Sequence, residues 1–521
     1  MSVDLKSRKQ IHVFAGPRQQ RRCVFAAMLL IICCGRVIVC AQDSSAQNTP
    51  PETSERKIER LTAAVAQAQA QMETYQKQLL ELQQQLTALK QQLADEKTAS
   101  SCAQSQTTNE ASTKEAADNA ASLEEIREQQ AIEESQIATH DITKVETQSK
   151  YPLKVSGLIL FNGFVNTRQV DISASPDYAV AGPGSTGLSL RQTMLGLDAS
   201  GPHLFNATSH ADLRVDFFAN DTKSNYAASG LLRLRTAHAA LSWQNTEAFV
   251  EVDRSILEPN EPSSLVALAQ PELAWAGNLW SWNPQVGVSH QIALTNSSHI
   301  KLQSALIDTS DPPLSGSTPR TSPVSQTERS RWPGTEARIA FQRGESGVGQ
   351  EIGIGGYFSP HRTSYGNNYD AWATTIDLRS SLTKYLGVTA NAYRGQALAG
   401  LGGGGYMNYL YYNVGSKTIV RALDDVGGWA QLKASASQRV EINAGYGIDN
   451  PFAHEIDIAN QYSGPTSYAG LERNRSIYSN VIYSPRAYLM FSVEYKRLWS
   501  SFSNASTNFS DVIGIGAGYK F

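Results

Sequence analysis

The chain has 521 residues, 41% of them hydrophobic, and a formal net charge of −3. That balance excludes disorder of the whole chain and lacks the strongly basic character expected of a nucleic-acid partner. Four of the five cysteines (Cys23, Cys33, Cys34 and Cys40) lie near the N-terminus and Cys102 stands alone, so neither a disulfide framework nor a cysteine metal site is expected.

Arg18, Arg21 and Arg22 precede an unbroken apolar run of 11 residues from Val24 to Cys34, and Val39, Cys40 and Ala41 follow. The run is too short to cross a bilayer as a helix, which takes about 20 residues. It reads as a secretory signal peptide over 1–41, cleaved near Ala41. The polar segment 42–55, with Pro50 and Pro51, reads as a tether. A strict heptad occupies 56–95. One seam position is filled by Ile58, Val65, Met72, Leu79, Leu86 and Leu93, the other by Leu61, Ala68, Tyr75, Leu82 and Leu89. So narrow a stripe cannot be buried by one helix alone, which predicts an oligomerising coiled coil; the seam leaves two strands or three open. Residues 96–150 become polar, with a weak helix marked by Leu123, Ile126 and Ile137, and Pro152 ends it.

From 151 to 521 the chain reads as an outer-membrane β-barrel. No later stretch reaches 18 consecutive apolar residues, and short alternating segments are split by turn residues. In the last segment Ile513, Ile515, Ala517, Tyr519 and Phe521 share one face, while Val512, Gly514, Gly516, Gly518 and Lys520 share the other. Only one face of a barrel strand meets hydrocarbon, so apolar residues are needed at alternate positions alone. Tyr519 and the terminal Phe521 also resemble the signal read by the barrel-assembly machinery. Sixteen antiparallel strands are predicted, near 154–166, 187–198, 209–218, 231–243, 246–253, 284–294, 299–307, 335–343, 350–358, 372–383, 385–394, 427–437, 439–448, 474–484, 487–498 and 509–521. Short and long connections alternate, except that 199–208 is longer than the rule predicts. The alternation places both barrel ends, and the coiled coil, in the periplasm. Trp243, Trp372, Tyr385, Trp429, Tyr483, Tyr488 and Trp499 are expected to form interfacial girdles.

Function in a barrel of this kind rests on the lumen wall and on any loop folded inward. Arg191, Arg214, Arg338 and Arg379 fall at predicted pore-lining positions with Asp212, Asp216 and Asp377. Arginines there would attract anionic solutes, or would pair with those carboxylates and with Glu336. The facing of Arg233 and Arg235 stays open. The connection 254–283, with Glu258, Pro259, Glu261, Pro262 and Glu272, is the expected constriction loop. The glycine-rich stretch 400–405 lacks the lysine and helix of a phosphate loop and reads as a loop tip. No nucleophile elbow, zinc-binding histidine pair or cysteine pair occurs, so neither enzyme activity, metal nor cofactor is expected.

Four segments, Ala276-Gly277-Asn278-Leu279-Trp280, Gly427-Gly428-Trp429-Ala430-Gln431-Leu432, Asn443-Ala444-Gly445-Tyr446-Gly447-Ile448-Asp449 and Arg473-Asn474-Arg475-Ser476, resemble DcaP-like outer-membrane porins. The resemblance covers roughly 150–521. It implies a 16-stranded trimeric barrel with a trimerising periplasmic helix, and passive uptake of small anionic solutes such as dicarboxylates. Two alternatives remain: a phosphate- or sugar-selective porin, and a structural barrel that anchors a coiled-coil spacer to the cell wall. The expected partners are outer-membrane lipid, small solutes, two further copies of the chain and the assembly machinery.

Overall fold

The computed structural model describes residues 152–219, 230–309, 324–344, 349–463, 470–503 and 506–521. The signal peptide, the tether, the heptad seam from Ile58 to Leu93, the linker and Cys102 therefore lie outside the described residues.

Seventeen strands form one sheet. They begin with β1 (Leu153–Val170), β2 (Ala179–Ser189), β3 (Met194–Leu204), β4 (Ala207–Ala219), β5 (Leu231–Ser242) and β6 (Thr246–Arg254). Next come β7 (Trp282–Thr295), β8 (Ser298–Ile307), β9 (Gly334–Arg343), β10 (Gln350–Arg362), β11 (Asn368–Ser381) and β12 (Leu386–Gln396). A separate hairpin, β13 (Tyr409–Val414) with β14 (Lys417–Ala422), sits in the connection that follows. The wall resumes with β15 (Asp424–Ser435), β16 (Val440–Pro451), β17 (Leu471–Arg486), β18 (Leu489–Phe502) and β19 (Asn508–Lys520). Two short helices, α1 (Gln326–Ser330) and α2 (Ala453–Ser463), also lie in connections.

The sheet closes on itself, because β1 pairs antiparallel with β19 from Leu158↔Lys520 to Asn166↔Val512. Closure leaves no open edge, so the wall satisfies its own backbone groups. The seventeen elements fill sixteen wall positions. β2 pairs with Asn162–Val170 of β1 and β3 with Leu153–Leu158, so the two are halves of one interrupted strand. The predicted strand 187–198 straddles this interruption. At 190–193 the ladder is left open, and the Leu160 amide donates to Thr193 Oγ1 at 3.1 Å instead.

Most connections alternate as the sequence predicts and the 199–208 exception disappears, but 363–367 and 503–507 on the long-loop side are shorter than 344–349 on the short-turn side. β3 and β4 continue to a two-residue turn at Phe205–Asn206, with φ of 51° and 61°. Two central residues in the left-handed region match the turn that follows the natural twist of a hairpin. Both ends of the barrel lie at the short-turn side.

Polarity is inverted relative to a water-soluble core. Ile354, Val493 and Ile515 are 57%, 60% and 54% exposed on the outside, whereas Asn443, Arg338 and Asp377 are buried inside. Hydrocarbon is the natural surrounding for the first set and a polar lumen for the second. Trp243, Tyr385, Tyr483 and Tyr488 face outward near the short turns, and Trp372 and Trp499 face outward near the long loops. Trp429 does not belong to the girdle. It falls on the inward parity of β15 with Gln431 and packs against Leu273 and Tyr478 in the lumen.

Candidate functional site: a lumen crossed by its third long loop

The third long connection, 255–281, folds into the barrel and is tied to the wall along its length. Ser255 Oγ donates to Glu336 on β9, and the Ile256 amide donates to the same carboxylate at 3.2 Å. Asn391 Nδ2 of β12 donates to Leu257 O at 3.0 Å. Trp429 Nε1 of β15 donates to Glu258 Oε1 at 3.0 Å. Further along, the Ser263 amide donates to Gln431 Oε1 at 2.6 Å, and Ser264 Oγ to Glu494 Oε2 of β18 at 2.6 Å. Gly514 and Gly516 of β19 leave room for Val266. Gln192, in the interruption between β2 and β3, is a clamp: its Oε1 accepts from the Leu268 and Ala269 amides at 2.7 and 2.8 Å, and its Nε2 donates to Val266 O at 2.8 Å. Leaving the β ladder at this point frees Gln192 to reach inward.

The return leg is equally fixed. Glu272 pairs with Lys496 of β18 at 2.6 Å, both fully buried or nearly so. Asn474 Nδ2 of β17 donates to Trp275 O at 2.9 Å. The Trp275 ring stacks on Tyr406 with centroids 3.7 Å apart. Gly277 has φ of 101° and lies against the backbone of Gly428 and Ile448. A Cβ on Gly447 would stand 2.0 Å from Ala276 O. A neutral carboxyl is favoured where water is excluded, and burial pushes Glu258, on this loop, up to about 8.

A second inner segment packs beside the first. The stretch 400–405 is not a loop tip; its glycines are buried, and the Gly404 and Gly405 amides donate to Asp425 Oδ2 and Asp449 Oδ2, each at 2.9 Å. Gly404 and Gly405 have φ of 66° and 57°, which glycine adopts without strain.

The residues expected to line the pore separate into two groups. Arg338 is 1% exposed and donates to Asp377 through two bonds of 2.9 and 2.6 Å, to Glu351 at 2.7 Å and to Gln303 at 2.9 Å. Arg379 donates to the other oxygen of Glu351 at 2.6 Å. This cluster on β9, β10 and β11 is internally matched in charge. Arg214 pairs with Asp198 at 2.5 Å and lies 3.8 Å from Asp212, which faces His238 at 3.6 Å. Arg191 is buried in the β2–β3 interruption, with its guanidinium 4.6 Å from the Phe218 ring. Asp216 is buried and takes two bonds from Arg233, of 2.9 and 2.5 Å.

Arg233 and Arg235, whose facing the sequence leaves open, both point inward. Leu232 and Leu234 between them are 61% and 48% exposed on the outside. Arg233 donates to Ala269 O at 2.6 Å and Arg235 to Leu268 O, so both grip the loop. Both guanidinium groups also lie over the Trp282 ring, at 5.3 and 4.8 Å. Glu261, the exposed acid of the loop, stands 3.9 Å from Arg235 and 3.6 Å from Arg254. The loop level thus gathers Arg191, Arg233, Arg235 and Arg254 near Asp216, Asp253 and Glu261. Nearer the short turns the same wall becomes acidic, with Glu247 and Glu251 beside His210 and His238. Among the described residues, no group of three or more His, Cys, Asp or Glu has the geometry to hold a metal ion.

In structural comparison, the outer-membrane channel DcaP of Acinetobacter baumannii superposes with a TM-score of 0.52 at 15% identity, over 72% of this chain and 99% of that one. The chain shares the DcaP barrel fold. An anion-selective porin from Comamonas acidovorans gives 0.44 at 9% identity, over 71% and 100% of the two chains. Salmonella typhi OmpF in complex with daunomycin gives 0.45 at 12% identity, over 72% and 99%. No family model matches the chain, and no curated protein matches it in sequence.

Proposed function

We propose that this protein is a bacterial outer-membrane porin for passive diffusion of small hydrophilic solutes, with preference for anions such as dicarboxylates. The observation that carries the reading is the loop 255–281 drawn across the lumen and held there by Arg233, Arg235 and Arg254. A loop fixed at many points narrows the passage without moving parts, which suits diffusion rather than a gated cycle. Guanidinium groups present forked donors that match carboxylate geometry, and a narrow polar passage strengthens their field. Arg338, Arg379 and Asp377 enter this reading as structural charges, because they neutralise one another with Glu351. Glu258 and Glu272 seat the loop, and Glu261 trims the basic field.

The heptad seam Ile58, Leu61, Val65, Met72, Leu79, Leu82, Leu86, Leu89 and Leu93 would join three copies on the periplasmic side after the signal peptide is removed. Tyr519 and Phe521 would present the chain to the assembly machinery. Liposome swelling tests the solute class. Faster entry of a dicarboxylate than of a neutral sugar of similar size supports the reading. Equal rates would favour a general pore, and no entry with folded protein would favour the cell-wall spacer.

A further inference from the structure

The outward face of β17, β18, β19 and β1 carries a cationic patch at the long-loop end of the barrel, where the lumen plays no part. Strand alternation puts Arg475, Arg497 and Trp499 on the outside, since Ser476, Lys496, Leu498 and Ser500 between and beside them are buried inward. The register brings these side chains together. Arg475 is paired with Trp499, Trp499 with Phe509, and Arg497 with Asp511. The guanidinium of Arg497 lies 5.4 Å from the Trp499 ring and 5.0 Å from the Phe509 ring; that of Arg475 lies 5.8 Å from Trp499 and that of Arg168 3.8 Å from Phe509. Arg473 stands beside them and is held by Asn450 Oδ1 at 2.7 Å. Asp511 takes Arg497 at 3.3 Å and the Tyr495 hydroxyl at 2.7 Å, and Glu472 lies close enough to Arg473 to interact with its charge. Four cations therefore gather around two anions, Asp511 and Glu472, with the rings of Trp499 and Phe509 among them.

The height of the patch tells what it meets. Directly toward the short turns the same face is apolar, with Ile477, Tyr495, Val493, Ile513 and Ile515 all more than 40% exposed. From Tyr488 to Trp499, at about 3.3 Å per residue and a tilt near 40°, the two rings stand roughly 28 Å apart along the barrel axis, about the height of the apolar band of such barrels. Trp499 thus marks the outer interface, and the arginines sit at the level of lipid headgroups, above acyl chains.

We propose that this face is a docking site for a phosphorylated glycolipid of the outer leaflet, lipid A, whose phosphates are held by Arg475, Arg497 and Arg168 while its acyl chains lie along Tyr495, Val493 and Ile513. Forked guanidinium donors match phosphate oxygens, and the excess of cations leaves the patch under-neutralised until an anion arrives. The proposal rests on the outer-membrane placement of the barrel and is independent of what the lumen conducts.

The test uses the full chain folded in detergent and native mass spectrometry to count retained lipid. Bisphosphorylated lipid A is compared with the same lipid stripped of its phosphates, with inorganic phosphate as competitor, on the wild type and on an Arg475→Gln/Arg497→Gln double variant. Expected are retention of the phosphorylated lipid, loss on dephosphorylation, and binding weaker by about tenfold or more in the double variant. Equal retention of the stripped lipid, or unchanged binding by the double variant, would overturn the proposal. So would displacement by an equal concentration of inorganic phosphate, which would make the patch a free-anion site. A change of oligomer mass with unchanged lipid retention would assign the face to a second copy instead. If the double variant does not fold, as read by heat-modifiable migration, the single Arg475→Gln variant and the wild-type lipid comparison decide. Conductance measured on the same preparation keeps the channel reading separate: a conducting protein that ignores lipid A sinks only the lipid site.

Discussion

Replacing Arg338 with Met should cost the barrel stability without changing which ions it passes. Arg338 is the centre of four hydrogen bonds to Asp377, Glu351 and Gln303, and Gly353 leaves the space: a Cβ there would stand 2.4 Å from Asp377 Oδ2 and 2.6 Å from Arg338 Nη2. Methionine approximates the stem of arginine but leaves Asp377 and Glu351 buried, with Arg379 and Lys301 still near Glu351. Removing one partner of a buried charge cluster costs about 3–5 kcal/mol, most of it from the carboxylates left behind. Adding Asp377→Asn and Glu351→Gln to the variant should therefore recover most of the loss. The assay is equilibrium unfolding of the detergent-folded barrel in denaturant, alongside the reversal potential in a salt gradient. A single variant destabilised by less than about 1 kcal/mol, or a triple variant as unstable as the single, would refute the reasoning. So would an altered reversal potential, which would make Arg338 a solute-facing charge.

Gly447→Ala should drive Ala276 off the wall, because the added Cβ meets a carbonyl oxygen that cannot step aside alone; single-channel conductance should rise, and stability fall by about 1–3 kcal/mol, whereas unchanged conductance would mean that this contact does not set the passage. Glu258 couples loop seating to pH. Its folded value, about 8, lies above that of the unfolded chain, so the seat is strongest at low pH and weakens as pH rises toward and through 8. Thermal unfolding should show that decline in the wild type and a flatter profile in Glu258→Gln; parallel profiles would count against it. Deleting Phe521 removes two 3.0 Å bonds to Gly157 and a ring that packs on that glycine, at the seam that closes the barrel. Assembly should fall, seen as loss of the heat-modifiable band, and normal migration would contradict the role of the terminal strand.

The barrel was legible because its physics is local and repeated. Alternation such as Ile513–Ile515 against Gly514–Gly516 needs only one strand to be read, and closure follows from having many of them. The loop 254–283 could be singled out by its prolines, acids and tryptophans, but not its path, which depends on wall residues hundreds of positions away such as Asn480 and Glu494. Trp429 shows the limit: an aromatic near a strand end belongs to a girdle or to the lumen according to parity alone, and one residue of register decides. Gln192 carried no signal, because a glutamine becomes a clamp only where the strand breaks. The mutual neutralisation of Arg338, Asp377 and Glu351 was open from sequence, since pairing across β9, β10 and β11 requires the register. The four short segments that resemble DcaP-like porins prove to meet at the loop, with Gly428 and Gly447 against its return leg at Gly277 and Ala276, Asn474 bonded to Trp275 and Trp429 to Glu258.

The central claim is that the loop and the arginines that hold it set the permeability of an open barrel. The most direct measurement is the reversal potential of single channels in a planar bilayer under a salt gradient, for the wild type and for an Arg233→Gln/Arg235→Gln/Arg254→Gln variant shown to be folded. The account predicts stepwise conductance with anion preference in the wild type and loss or reversal of that preference in the variant. Cation preference in the wild type, or the same reversal potential in both, would contradict the arginine wall; no conductance from folded protein would contradict the channel itself.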